Sequence, residues 1–360
     1  MAGAVIGHGG AVALRVAAAL VGLVGGIMLG LAARLGRFCT LGAIEDMLYA
    51  GSTVRMRMWG IAIGTAIAGS FALMQMGLLD ARAASYLQFG WVPWASVVGG
   101  LVFGYGMALA GNCGFGALAR LGGGDLRSFV IVLVMGLAAY VALSGPLANL
   151  RVLAFPVRPL DPGETVPGIA HYIEHLTGLS APTFGIALGL IVIAAMFTSP
   201  EMRKARMKAV WSVVAGLAVV VGWGGTQWIA NTGFAAIPVE SHTYSAPLGD
   251  TILYLMTASG TSLNFGVGSV AGVLAGAFIG SALKGHFRWE ACEDPRELKR
   301  QIGGAVLMGF GAVIAFGCSI GQGLSGFSVL YVGAPVTFLA IMAGAAFGLR
   351  QLISGFQPAE

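Results

Sequence analysis

Three cysteines stand at the start of short apolar segments interrupted by glycine, a pattern that could present thiols to a small ion. Cys39 lies in Gly-Arg-Phe-Cys-Thr-Leu-Gly, Cys113 in Gly-Asn-Cys-Gly-Phe-Gly and Cys318 in Gly-Cys-Ser-Ile-Gly-Gln-Gly. A helix N-terminus attracts anions through its free N–H groups and its dipole. A thiol adds a weak S–H donor and a polarizable sulfur. Together these groups favour an anion that contains soft sulfur.

Several residues beside the thiols could contact such an ion. Glycines flanking the second and third cysteines would let a ligand approach backbone N–H groups. Arg37, two residues before Cys39, could attract an anion or stabilise a thiolate, and an anchor at the membrane surface is an equally good interpretation. The predicted substrate-binding residues, with no metal ligand and no catalytic residue among them, are Cys39, Cys113, Cys318, Gly114, Gly116, Gly321, Gln322 and Arg37.

Other polar residues are weaker candidates. Cys292 stands among acidic residues and is expected in an exposed loop without a role. Asn112 could line a path or join helices. His171 and His175 have the spacing of a metal-binding helix face, but without a third ligand we expect an amphipathic external segment.

The cysteine motifs form an internal repeat. Superposing Cys113 on Cys318 also superposes three glycines and one aromatic residue of segments 104–116 and 309–321. A lone membrane cysteine is usually a small buried apolar residue, but that does not explain its recurrence at the same glycine-flanked position. Cys39 has no counterpart, because the equivalent position holds Ala246. Three thiols on a scaffold of predicted two-fold symmetry therefore indicate an asymmetric path.

The composition identifies the solvent of this scaffold. Hydrophobic residues make up 57% of the chain and charged residues only 10%, against about 25% charged in soluble domains. The chain is therefore predicted to be an integral membrane protein. Its net charge of +5 fits Lys- and Arg-rich cytoplasmic loops and does not indicate a nucleic-acid partner. The cysteines lack C-x-x-C spacing, which argues against a disulfide framework, and no removable signal peptide is expected.

Apolar runs predict an all-α fold with about nine transmembrane helices and about four short re-entrant helices. Pieces too short to span are typical of broken helices that line a cavity. The predicted spans lie near 11–33, 58–79, 93–111, 127–149, 183–199, 207–230, 264–284, 303–317 and 334–353. The short pieces are 39–50, 113–121, 246–259 and 319–331.

Basic residues orient these spans. Their clusters predict a periplasmic N-terminus, an external loop over 150–182 and a cytoplasmic C-terminus in a bacterial inner (plasma) membrane. Spans one and six then run in opposite directions. We therefore expect one transport domain, 1–360, in which 11–149 and 207–353 are inverted-topology repeats around a pseudo-two-fold axis. The external loop and an inverting helix occupy 150–206.

The three ordered motifs around Cys39, Cys113 and Cys318 resemble the YeeE/YedE family of sulfur-compound permeases. The resemblance covers most of the chain and implies an hourglass of about nine spans with short re-entrant helices. It also implies thiosulfate import, with these three cysteines passing the ion by transient S–H···S contacts. A small cytoplasmic sulfurtransferase of the TusA type is the implied partner. Gly114 departs from the pattern, since a hydroxyl residue would be more usual there.

The predicted function is import of thiosulfate, or a closely related small sulfur anion, by a lipid-embedded permease without a cofactor. The ion should meet Cys318 first and then Cys113 and Cys39. Two alternatives stay open. A membrane sulfur carrier or enzyme would form a cysteine persulfide and needs a thiol of lowered pKa, for which Cys39 near Arg37 is the candidate. A sensor would bind the same ion and signal through the 285–302 loop.

Overall fold

The computed structural model describes residues 2–161, 163–233, 236–291 and 294–355, with side chains from residue 12 onward. Within these ranges the chain is helical, with isolated bridges in place of strands. A 3-10 turn, Ser85–Leu87, and a π-helical turn, Gly321–Gly326, accompany the α-helices. These are α1 Ala2–Leu35, α2 Thr40–Tyr49, α3 Val54–Gln75, α4 Pro93–Ala110, α5 Gly114–Leu121, α6 Leu126–Leu143, α7 Ala148–Ala154, α8 Ile169–Thr177, α9 Ala181–Met196, α10 Pro200–Lys204, α11 Arg206–Thr232, α12 Ala246–Thr257, α13 Phe265–Leu283, α14 Pro295–Ile314 and α15 Gly333–Ser354.

Local signals in the sequence set several of these helix ends. α4 begins with Pro93 in its first turn, where the missing N–H costs nothing, and ends at Gly111 with a left-handed φ of 75°. The side chain of Asp125 accepts a hydrogen bond from the Arg127 N–H at the start of α6. Asn264 caps α13 in the same way, as polar N-cap residues commonly do.

Seven helical stretches in the described residues are long and apolar enough to cross a membrane. They are Val12–Tyr49, Val54–Gln75, Pro93–Leu121, Leu126–Leu143, Arg206–Thr232, Phe265–Leu283 and Gly333–Ser354. The chain is therefore a multi-pass, all-helical membrane protein, as predicted. The number nine stays a prediction, because α9 has only 16 residues and α14 begins with several charged residues.

Helices also occupy the four short segments singled out in the sequence. α2, α5 and α12 lie within three of them, and the fourth holds a helix over 319–328 that contains the π-helical turn. α2, α5 and the helix over 319–328 each follow a longer helix after a break of a few residues, whereas a longer segment separates α12 from α11. Their re-entrant placement in the membrane stays a prediction.

Interleaved glycines bring α1 and α13 into close parallel contact. Gly26 of α1 faces the Ser269 carbonyl, and Gly272 of α13 faces the Leu23 carbonyl. A Cβ atom at either glycine would lie 2.3 Å from that oxygen, so only glycine permits this approach. Small residues of this kind let membrane helices pack backbone to backbone.

Helices at equivalent positions of the two predicted repeats cross in antiparallel pairs. α1 meets α11 with Gly36 facing Trp211 and Val21 facing Gly225. α4 meets α14 with Gly99 facing Ala315. Further contacts are reciprocal: α1 packs on α13 and α11 on α3, while α4 packs on α15 and α14 on α6.

The glycines shared by the two cysteine motifs occupy equivalent positions in these contacts. Gly104 faces Ile341 of α15, and its counterpart Gly309 faces Met135 of α6. Gly106 faces α14 and its counterpart Gly311 faces α4. The repeated glycines therefore place the helices that carry the thiols.

Candidate functional site

All three cysteines stand directly before short helices. Cys39 is the N-cap residue of α2 and Cys113 that of α5, both in extended backbone conformation. Cys318 precedes the helix over 319–328. The glycine-rich break before each cysteine ends one helix, and the thiol begins the next.

Two of the sulfur atoms accept hydrogen bonds from the helix ends that they precede. The Gly116 N–H donates to Cys113 Sγ at 3.4 Å, and the Gly321 N–H donates to Cys318 Sγ at the same distance. Cys318 Sγ also accepts from the Tyr244 N–H at 3.2 Å. The sulfurs thus occupy backbone donors that the sequence assigned to a ligand. Cys318 Sγ also lies 3.6 Å from Thr243 Oγ1, a contact in which either group can donate.

The three thiols follow one another in space. Cys113 lies near both of the others. Its neighbours Asn112 and Gly116 line one cavity together with Cys39. A Cβ atom at its neighbour Gly114 would lie 2.8 Å from the carbonyl oxygen of Tyr244, whose N–H donates to Cys318 Sγ. Cys113 and Cys318 are buried, whereas Cys39 is partly exposed. The row therefore begins at the exposed Cys39 and continues through Cys113 to Cys318.

Cys39 opens onto a cavity of about 440 Å³, here called the basic cavity. Asn112 and Gly116 also line it, which brings it next to Cys113. Glu45 is the one carboxylate among its described lining residues, and the basic side chains there are Arg34, Arg37, Arg55, Arg120 and Lys284. Such an excess of one sign of charge in a concave surface concentrates ions of the opposite sign.

The charges of this cavity are only partly compensated. Arg55 pairs with Asp46 at 3.1 Å, and Arg34 Nε donates to Ser281 Oγ. Arg37, held in a left-handed conformation with φ of 57°, makes no hydrogen bond or ion pair with any described residue, and neither does Arg120. Two guanidinium groups are therefore free to bind an anion.

The far end of the thiol row, beside Cys318, is closed by aromatic side chains. We call Tyr86, Phe89, Phe316 and Tyr331 the aromatic cluster. The Phe316 ring lies 5.6 Å from Tyr86 and 5.5 Å from Phe89 between centroids. A cavity of only about 20 Å³ adjoins it. α4 separates this end from the basic cavity, since Phe89 precedes the helix and Asn112 follows it. The 18 residues of α4 span roughly 27 Å at about 1.5 Å per residue.

Comparison with known proteins identifies the family of the chain. Residues 35–347 match the sulphur transport family. The chain belongs to that family. It is 29% identical over 333 residues to the thiosulfate transporter TsuA of Escherichia coli (strain K12), covering 85% of this chain and 86% of that protein. It is 27% identical over 320 residues to TsuA of Spirochaeta thermophila, covering 85% and 90%.

Membership of the sulphur transport family makes the chain a transport protein rather than an enzyme. It confirms the family expected from the three cysteine motifs. The predicted site residues of this chain have different roles in the fold, as Gln322 and the glycines show.

The Gln322 side chain bridges the turn between α14 and Cys318. Its Nε2 donates to the Ala315 and Phe316 carbonyls at 2.9 and 3.0 Å. Its buried Oε1 has no partner among the described residues. The side chain therefore holds the turn that carries Phe316, and its oxygen alone stays available for a ligand.

The predicted glycines serve close packing as well as access. A Cβ atom at Gly114 would lie 2.8 Å from the Tyr244 carbonyl, and one at Gly321 would lie 2.5 Å from Thr243 Oγ1. Gly116 lines the basic cavity. Of these three positions, Gly116 is the one that presents backbone to open space.

The remaining candidates lie apart from the thiols. Cys292 falls outside the described residues. His171 and His175 belong to α8, and no group of three metal-ligating side chains occurs in the described part of the chain. Burial lowers the pKa of the His171 imidazole, opposed by the charge of Glu174.

Sequence reasoning missed two kinds of site residue. Arg34, Arg55, Arg120 and Lys284 were explained as anchors at the membrane surface, although their positions beside the short helices could have placed them at the site. Buried polar groups next to the thiols, Thr40 and Ser319 among them, were also passed over. A hydroxyl at the first position of a broken helix was the available signal.

Proposed function

We propose that the protein carries thiosulfate, or a closely related small sulfur anion, across the membrane by way of Cys318, Cys113 and Cys39. The observation that carries the proposal is the continuity of buried thiols with a basic cavity. Sulfur atoms suit the soft end of the ion, and the free guanidinium groups of Arg37 and Arg120 suit its charge. The two relatives described above are thiosulfate transporters.

Weak successive sites explain why thiols suit this task. Burial of an unpaired anion is costly, so a path needs donors along its length. A site that bound the ion too tightly would not release it. An S–H group is a weak donor, and three in a row can pass an ion on.

We further propose that the basic cavity faces the cytoplasm of a bacterium and that the aromatic cluster faces the periplasm. The positive-inside rule supports this orientation. The protein is then open to the cytoplasm and closed to the outside. A TusA-like sulfurtransferase could accept the ion at the basic cavity.

The same proposal treats 11–149 and 207–353 as inverted repeats within one transport domain of nine spans. The antiparallel crossings of α1 with α11 and of α4 with α14 support it. So do the reciprocal contacts of the remaining helices. Such repeats place a transport site near the membrane midplane.

A persulfide-forming sulfur carrier is less well supported. A nucleophilic thiol needs a nearby base or cation. Among the hydrogen bonds of Cys113 and Cys318 none involves a basic side chain within the described residues. Cys39, in the basic cavity, is the only one of the three with arginine neighbours.

Uptake of labelled thiosulfate into proteoliposomes tests the function directly. We expect saturable uptake by the wild-type protein, with little competition by sulfate because sulfate lacks a terminal sulfur. Uptake no faster than in protein-free liposomes contradicts the proposal. A cysteine persulfide detected by mass spectrometry during turnover would favour the carrier instead.

A further inference from the structure

Two buried hydroxyl groups beside the thiols lack a nitrogen or oxygen partner among the described residues. Ser319 follows Cys318 and is fully buried, and Thr40 follows Cys39 with 2% of its surface exposed. Neither hydroxyl makes a hydrogen bond to a described nitrogen or oxygen atom, and the Ser319 hydroxyl has only the weakly polar Cys113 thiol beside it. An unpartnered buried hydroxyl is destabilising, so native proteins rarely keep one without a reason.

Local helix geometry does not explain these two groups. Other unpartnered hydroxyls, such as those of Ser70 and Thr337, lie inside helices. There a hydroxyl can rotate toward the carbonyl group one turn earlier. Thr40 and Ser319 are the first residues of their helices, and no helical turn precedes them to supply such a carbonyl.

The two hydroxyls lie along the row of thiols. Ser319 comes from the second half of the chain, yet its side chain faces the Cys113 thiol of the first half. It thus stands between Cys113 and Cys318. Thr40 lies in the sequence between Cys39 and Leu41, which both line the basic cavity, and its own side chain is buried. One hydroxyl therefore lies beside the buried thiols, and the other lies next to residues that line the basic cavity.

We propose that Ser319 and Thr40 bind the oxygen end of the transported anion while the neighbouring thiols contact its sulfur. This inference rests on the proposed function and names how the ion is recognised. A thiosulfate ion has three hard oxygens and one soft terminal sulfur. An O–H group is the better donor to oxygen, and a thiol is the polarizable neighbour for sulfur. The ion then meets both kinds of donor at each step.

The substitutions Ser319→Ala and Thr40→Val remove only these hydroxyls, and Val keeps the shape of Thr. We expect each to raise the KM for thiosulfate uptake by about tenfold or more, as for the loss of a hydrogen bond to a charged group. The melting temperature in detergent should stay the same or rise, because an unpartnered polar group has gone. Thr40→Ser should keep the wild-type KM.

Thr337→Val is the matched control, since it removes a buried, unpartnered hydroxyl from α15. An unchanged KM in both Ser319→Ala and Thr40→Val overturns the inference while wild-type uptake upholds the proposed function. An equal rise in KM for Thr337→Val also overturns it. So does a fall in melting temperature that accompanies lost uptake without recovery in Thr40→Ser. Absence of wild-type uptake overturns the proposed function itself.

Discussion

The two ends of the thiol row differ in charge and in access. At one end Cys39 and Asn112 line the open basic cavity. At the other, the Tyr86 hydroxyl lies close to Gly317 and Gly321 on either side of Cys318, and the Tyr86 ring packs against Phe316. Access to the thiols therefore depends on the side chains that surround each end.

The short helices at the two ends also differ in how regular they are. α5 is a regular helix that ends at the basic cavity, with Arg120 in its last turn. Its counterpart over 319–328 contains a π-helical turn whose residues are all buried. Glycine and serine make that turn adaptable, and π-helical turns occur often at functional sites. The closed end is thus also the less regular one.

The thiol shared by both ends should give the largest effect. Cys113→Ala interrupts the row at its middle and should lower kcat/KM for thiosulfate by more than about a hundredfold, the upper end for one hydrogen bond to a charged group. Proteoliposome uptake measures it. Cys292→Ala serves as the control, since that residue is predicted to have no role. Uptake by Cys113→Ala at the wild-type rate would contradict the proposed path through the three thiols.

Charge at the open end should matter next. Arg37→Gln and Arg120→Gln each remove an unpaired guanidinium and should raise KM by about tenfold, within the range for charge-assisted hydrogen bonds. Added salt should weaken wild-type uptake more than uptake by these variants, because screening acts on charge. Arg296→Gln, in the first turn of α14 and outside the basic cavity, is the control. Equal salt dependence in all four proteins would contradict the role given to the basic cavity.

Opening the closed end should give a smaller effect. Phe316→Ala removes a ring that packs against Tyr86 and Phe89 beside Cys318, so a membrane-impermeant thiol reagent should reach Cys318 several times faster from that side. Mass spectrometry of labelled proteoliposomes follows it, with Phe347→Ala on α15 as the control. Wild-type Cys39 should react readily from the opposite side. Labelling of Cys318 at the wild-type rate in Phe316→Ala would mean that other residues close this end.

The smallest effect should come from losing the Gln322 hydrogen bonds to the turn before Cys318. Gln322 donates two hydrogen bonds there, whereas its counterpart in the first half is Ala117. Gln322→Met should lower the melting temperature by a few degrees, since each such bond contributes about 1 kcal/mol. Differential scanning fluorimetry in detergent measures this. No change in melting temperature would show that the turn holds without the amide.

Much of this architecture could be predicted from particular residues. The repeated Gly-Cys motifs located α5 and the helix over 319–328 to within three residues at each end, because glycine breaks and thiols leave a local signal. The long apolar runs identified the membrane helices for the same reason. What could not be predicted depends on contacts between distant segments. The Tyr244 N–H reaches Cys318 across 74 residues, and arginines from separate helices meet in one cavity. No local pattern records such meetings.

The close contact of α1 with α13 limits how the protein can move. Its glycines leave no room for a Cβ atom between the two backbones, so sliding or rotation of one helix against the other would cause an immediate clash. This pair is therefore expected to travel as a single rigid body through the transport cycle. Conformational change is then expected in segments held by side chains rather than by interlocked backbones, such as the turn over 316–318, which the Gln322 amide holds, and the loop that carries Tyr86. The transport cycle is then expected to move a short segment beside Cys318 within a fixed helical frame, rather than to rotate one domain against another.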